Sequence, residues 1–92
     1  MKFEWDERKR KSNLRKHGID FVGCEAIFAG PQTVIPDDAR DDYGEMRFVT
    51  FGLLEGRVVA VVHTETADTI RIISIRKATK REQALFFEAI QD

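Results

Sequence analysis

Apolar and polar positions alternate most regularly in the second half of the chain. From Met46 to Leu54, Val49, Phe51 and Leu53 fall on one side and Phe48, Thr50 and Leu54 on the other, which predicts a strand. Glu55-Gly56 turns the chain into a second strand, Arg57 to Glu65, and Thr66-Ala67-Asp68 turns it again into a third, Thr69 to Lys77. Three consecutive hairpin-linked strands predict an antiparallel meander.

Helical spacing brackets this meander. Phe3 and Trp5 alternate in a short strand, Lys2 to Trp5, and Asp6 then caps a helix that runs to His17 and stops at Gly18. That helix is poor in apolar surface, with Leu14 as its one large aliphatic. A second helix is predicted from Phe21 to Phe28, capped by Asp20 and ended by Gly30-Pro31. Thr33-Val34-Ile35 reads as a strand stub broken at Pro36, followed by an acidic loop from Asp37 to Gly44. Thr79 and Glu82 form a capping box before a last helix carrying Leu85, Phe86, Phe87 and Ile90. The expected order is β-α-α-β-β-β-β-α over one domain, residues 1–92. This is an α+β class whose antiparallel sheet carries its helices on one face and leaves the other open.

Composition narrows the functional classes. A 92-residue chain has no room for a doubly wound nucleotide-binding domain or a barrel. The longest apolar run, Val58 to Val62, is far below the ~20 residues of a membrane span. No apolar leader core precedes the first charges, and the lone Cys24 suits a reducing compartment, so a cytoplasmic protein without membrane contact is expected.

The net charge of −1 argues against a polyanion ligand until it is divided along the chain. Residues 1–18 hold seven bases against three acids, residues 19–45 one base against seven acids, and residues 46–92 seven bases against six acids. A basic head and an acidic middle hide inside the near-neutral total.

His17, His63 and Cys24 have no metal-ligand spacing, no serine lies in a nucleophile elbow, and there is no glycine-rich phosphate loop, so no metal or cofactor is expected. What remains is cationic with imidazole. Lys9, Asn13, Lys16 and His17 recur at helical spacing, Arg47 opens one strand, His63 lies near the end of the next, and Arg71, Arg76 and Lys77 line the third. Metal-free RNA cleavage needs a base for the 2′-hydroxyl, a cation for the pentacoordinate phosphate and an acid for the leaving 5′-oxygen. Histidine and arginine supply those roles. A solvated basic helix and a satisfied buried His63 fit the same residues equally well. Arg71 and Arg76, five residues apart, point to opposite faces of a regular strand and share one site only if a bulge intervenes or one acts from the strand end.

Three longer patterns carry a resemblance. Trp5-Asp6, Lys9, Asn13, Lys16-His17-Gly18-Ile19 and Phe21 form the first, and Tyr43-Gly44-Glu45-Met46-Arg47-Phe48 the second. Arg71-Ile72-Ile73-Ser74-Ile75-Arg76-Lys77-Ala78-Thr79 with Arg81-Glu82 forms the third. Together they resemble the BrnT family, toxins of type II toxin–antitoxin modules. The resemblance implies a RelE-like fold and a metal-independent endoribonuclease that blocks translation. It also implies a BrnA-type antitoxin with a ribbon-helix-helix part, and operator DNA bound only through the complex of the two.

Carried onto this chain, it marks His17, Arg47 and Arg76 for catalysis and Lys9, Lys16, Arg71, Lys77 and Arg81 for RNA binding, while His63 is a catalytic candidate on its own chemistry, at a departure from the family pattern. His17 is the first choice for proton transfer, and Arg47 and Arg76 for the phosphate. Where relatives often read V-Y-T-E-R, this chain has Val62-His63-Thr64-Glu65-Thr66. His63 is then either a second acid/base group or a mark of weakened catalysis. The latter keeps a non-catalytic RNA- or antitoxin-binding module as the alternative.

Overall fold

The expected element order is observed. The computed structural model describes residues 1–40 and 44–91, with elements β1 (Lys2–Trp5), α1 (Glu7–His17), α2 (Glu25–Ala29), β2 (Gln32–Arg40), β3 (Met46–Leu54), β4 (Arg57–Glu65), β5 (Thr69–Lys77) and α3 (Lys80–Ala89). The strands form a five-stranded sheet in the order β1-β5-β4-β3-β2. Among the described residues no helix is long and apolar enough to cross a membrane.

The sheet is mixed rather than antiparallel, because β1 pairs parallel with β5, Phe3 opposite Ile70 and Trp5 opposite Ile72. The other three pairings are antiparallel, as the meander requires. β4 lies at the centre and is apolar on both sides, so the sheet needs cover on both faces. On one face, Val59, Val61, Ile70, Ile72 and Ile75 pack under Phe21, Cys24 and Ile27, with Phe3 and Trp5 alongside. The other face carries a smaller cluster of Val58, Ala78 and Phe86, joined by Phe51, Leu53 and Ile90. The last helix therefore sits on the face opposite α2, not beside it as expected. Ala78 turns the chain there by donating its N–H to the Val58 carbonyl at 3.0 Å.

Local chemistry explains the element ends. Asp6 Oδ1 accepts from the Arg8 N–H at 2.8 Å, and Gly18, at φ 71°, donates its N–H to Leu14 to close α1. The second helix is shorter than the predicted Phe21–Phe28. Gly23 takes φ 94°, and Asp20 accepts from the Val22 N–H at 3.0 Å, so a turn occupies 21–24 and Asp20 caps that turn. A further difference is β2, which runs through Pro36. As the edge strand it has one side without ladder partners, where a residue lacking an N–H is tolerated. Residues 37–40 of the expected acidic loop thus belong to β2, while residues 41–43 lie outside the described residues.

Candidate functional site

Residues opposite one another on paired strands share a face. This assigns Arg47, Val49, Phe51 and Leu53 of β3, and Val58, Ala60, Val62 and Thr64 of β4, to the α3 face. On β5 the ladder slips beside Val62 and His63: Ser74 pairs with Val62 while Ile72 pairs with His63, leaving Ile73 as an extra residue. That bulge resets the alternation. Arg71 lies opposite Thr64, Ser74 opposite Val62 and Arg76 opposite Ala60, so all three stand on the same face as Arg47.

Each of these arginines is held by a carboxylate from a neighbouring element. Arg47 is 3.2 Å from Asp37 on β2, Arg71 is 3.2 Å from Glu4 on β1, and Arg76 is 2.7 Å from Glu82 on α3. The last contact is a two-pronged fork, Nη1 to Oε1 and Nη2 to Oε2 at 2.7 and 3.0 Å. Arg76 donating into it holds the Glu82 carboxyl down at about 2, and the guanidinium is raised in turn. Beside Arg71 opens a cleft of about 210 Å³ lined by Glu4, Glu45, Thr64 and Thr69. The face is a lattice of matched charges, with positive groups concentrated along β5.

Helix α1 docks against this strand through one buried residue. Past Ile72, β5 has no β1 partner, and the Asn13 side chain takes the vacant ladder positions. Its Oδ1 accepts from the Ile75 N–H at 3.1 Å, and its Nδ2 donates to the Ile75 and Ile19 carbonyls at 2.8 and 3.0 Å. The helix runs in the direction of β5, from beside Ile72 to beyond Ile75. His17, one turn past Asn13, therefore stands toward the end of β5 that carries Arg76 and Lys77. Lys9, Lys16 and His17 are all exposed, in keeping with a helix whose outer surface is cationic.

The remaining expected site residues separate from this group. His63 is fully buried on the opposite face, against Phe28 of α2 and stacked on Phe48, with ring centroids 5.3 and 6.0 Å away. Its Nε2 lies 2.7 Å from the Thr50 hydroxyl, and burial pushes its pKa down. A histidine enclosed there has no access to a phosphate on the arginine face, so the expected second acid/base group is not part of this constellation. Lys77 points to the α1–α2 side, paired with Val59, and lines a groove of about 660 Å³ with Arg57, Lys80 and Phe87. Arg81 is exposed in the first turn of α3, next to Glu82. Cys24 is buried and its thiol is pushed up to about 12 by that burial, an inert core residue.

Sequence reasoning passed over Asp37, Glu4 and the second role of Glu82, because counter-ions brought by other elements leave no local signal. Asn13 did leave one: an amide mid-helix in a segment with almost no apolar anchor.

A family model describing a ribonuclease toxin, BrnT, of type II toxin–antitoxin systems matches residues 5–82. The chain belongs to the BrnT family. None of the curated proteins compared with it matches. The matched span opens at Trp5 and closes at Glu82, enclosing α1, the whole sheet beyond the first strand and every candidate residue above. As a BrnT-family ribonuclease toxin of a type II system, the chain has an antitoxin partner.

Proposed function

We propose that this BrnT-family chain is a metal-independent endoribonuclease whose site is the arginine-bearing sheet face together with the C-terminal turn of α1. Arg76 and Arg47 bind the scissile phosphate and stabilise the charge that grows on it during attack by the 2′-hydroxyl. His17, the exposed one of the two histidines, handles the proton. Lys9 and Lys16 hold the backbone along α1, with Arg71, Lys77 and Arg81 as outer contacts. Cleavage of cytoplasmic RNA stops translation. A BrnA-type ribbon-helix-helix antitoxin neutralises the activity, and only their complex meets operator DNA. The RelE-like architecture belongs to the same reading.

The observation that carries this reading is the bulge at Ile73, without which Arg71 and Arg76 would face opposite ways. The donor set on that face supports metal independence: its cations are permanent guanidinium charges, and the carboxylates beside them are engaged in ion pairs. Cleavage rates of a labelled RNA test it. Arg76→Ala, Arg47→Ala and His17→Ala are expected to slow cleavage at least about a hundredfold. His63→Gln, on the buried face, is expected to keep the parent rate per folded molecule. Full activity in the first three variants would overturn the site.

A further inference from the structure

We infer that Glu82 is a positioning residue for Arg76, so that the N-terminus of α3 is part of the ribonuclease site without touching RNA. This rests on the reading of Arg76 as the phosphate ligand. Three observations carry it. First, the fork from Arg76 to both Glu82 oxygens fixes the guanidinium plane, at 2.7 and 3.0 Å, while Nη1 also reaches the Lys77 carbonyl at 3.3 Å.

Second, Glu82 is itself immobilised. Its Oε1 accepts from the Thr79 N–H at 2.9 Å, and its own N–H donates to the Thr79 hydroxyl at 3.1 Å, which completes the capping box. A carboxylate in the first turn of a helix is further favoured by the macrodipole. Third, the clamp on Arg71 at the other end of β5 is looser. Glu4 is half exposed at 54% and meets Arg71 through one contact, whereas Glu82 is 24% exposed. An arginine side chain free to choose among rotamers would lose entropy on gripping a phosphate. Here that loss is incurred at folding, and the guanidinium edge away from Glu82 is held in place for a ligand.

Glu82 serves two ends that substitution separates. Glu82→Gln retains an amide oxygen for Thr79 and one hydrogen bond to Arg76, but loses the second charged prong. Thr79→Ala removes the hydroxyl cap and leaves the fork intact. Single-turnover cleavage of a labelled oligoribonucleotide, normalised to folded protein, is expected to slow at least about tenfold in Glu82→Gln, mainly in kcat, and to stay at the parent rate in Thr79→Ala.

The decisive readout is the double variant. If Glu82 acts through Arg76, then Glu82→Gln costs nothing further once Arg76→Ala is present. Independent, multiplying losses would overturn the inference, as would parent-like cleavage by Glu82→Gln alongside a crippled Arg76→Ala. Parent-like cleavage by Arg76→Ala itself would instead overturn the site reading on which this rests.

Discussion

At the scale of single residues, the same side-chain type performs different work according to where the backbone takes it. The two histidines show this. His17 ends a helix in solvent, while His63 is enclosed between Phe28, Phe48 and Thr50. Desolvation lowers the pKa of His63 from its ordinary 6.5, with Glu65 at 3.8 Å partly opposing it. A histidine with a folded pKa below the unfolded one takes up its proton more readily in the unfolded chain. Its contribution to stability is therefore whole above about pH 6.5 and is lost as pH falls from there toward the folded value. The urea midpoint of the parent is expected to drop between pH 7.5 and 5.5, and that of His63→Gln to drop less. Parallel curves would remove His63 from the account.

Asn13 belongs at this scale too. Asn13→Ala leaves a buried N–H and C=O of Ile75 without partners, and should cost about 2–4 kcal/mol in urea unfolding.

At the scale of elements, the legible features are those whose cause is local. Asp6 and Gly18 bound α1, Thr79 and Glu82 open α3, and Glu55-Gly56 turns β3 into β4, each through bonds between residues close in sequence. The parallel pairing of β1 with β5 joins residues nearly seventy positions apart, and Phe3 or Trp5 alone cannot indicate it. The face chosen by α3 depends on Val58 and Phe51 being apolar on the side that the alternating pattern left unassigned.

The bulge was legible only as a requirement: Arg71 and Arg76 needed one to meet, and nothing in Ile72-Ile73-Ser74 says where it falls. The seating of α2 turns on Gly52, where an added Cβ would meet Ile27 Cγ2 at 2.7 Å and its carbonyl at 3.2 Å. Gly52→Ala should cost about 1–3 kcal/mol by lifting α2 from the sheet, measured by chemical denaturation.

At the scale of the whole molecule, a net charge of −1 conceals a basic N-terminal segment and three arginines on one sheet face, each beside a carboxylate. The exposed cations of α1 lie on the helix docked along β5, and Arg71 and Arg76 stand toward the two ends of that strand. Affinity for single-stranded RNA, measured with a non-cleavable 2′-deoxy analogue, should fall with log[salt] at about −0.7 per phosphate neutralised. Arg47→Ala should lessen that slope by about one such unit.

The central claim is that this face cleaves RNA with its own side chains. The most direct measurement is cleavage of an end-labelled RNA, in excess EDTA, by antitoxin-free protein and by its Arg76→Ala variant side by side. The expected result is cleavage by the parent and a rate at least about a hundredfold lower in Arg76→Ala. Intact RNA with the parent protein, or equal cleavage by both, would contradict it.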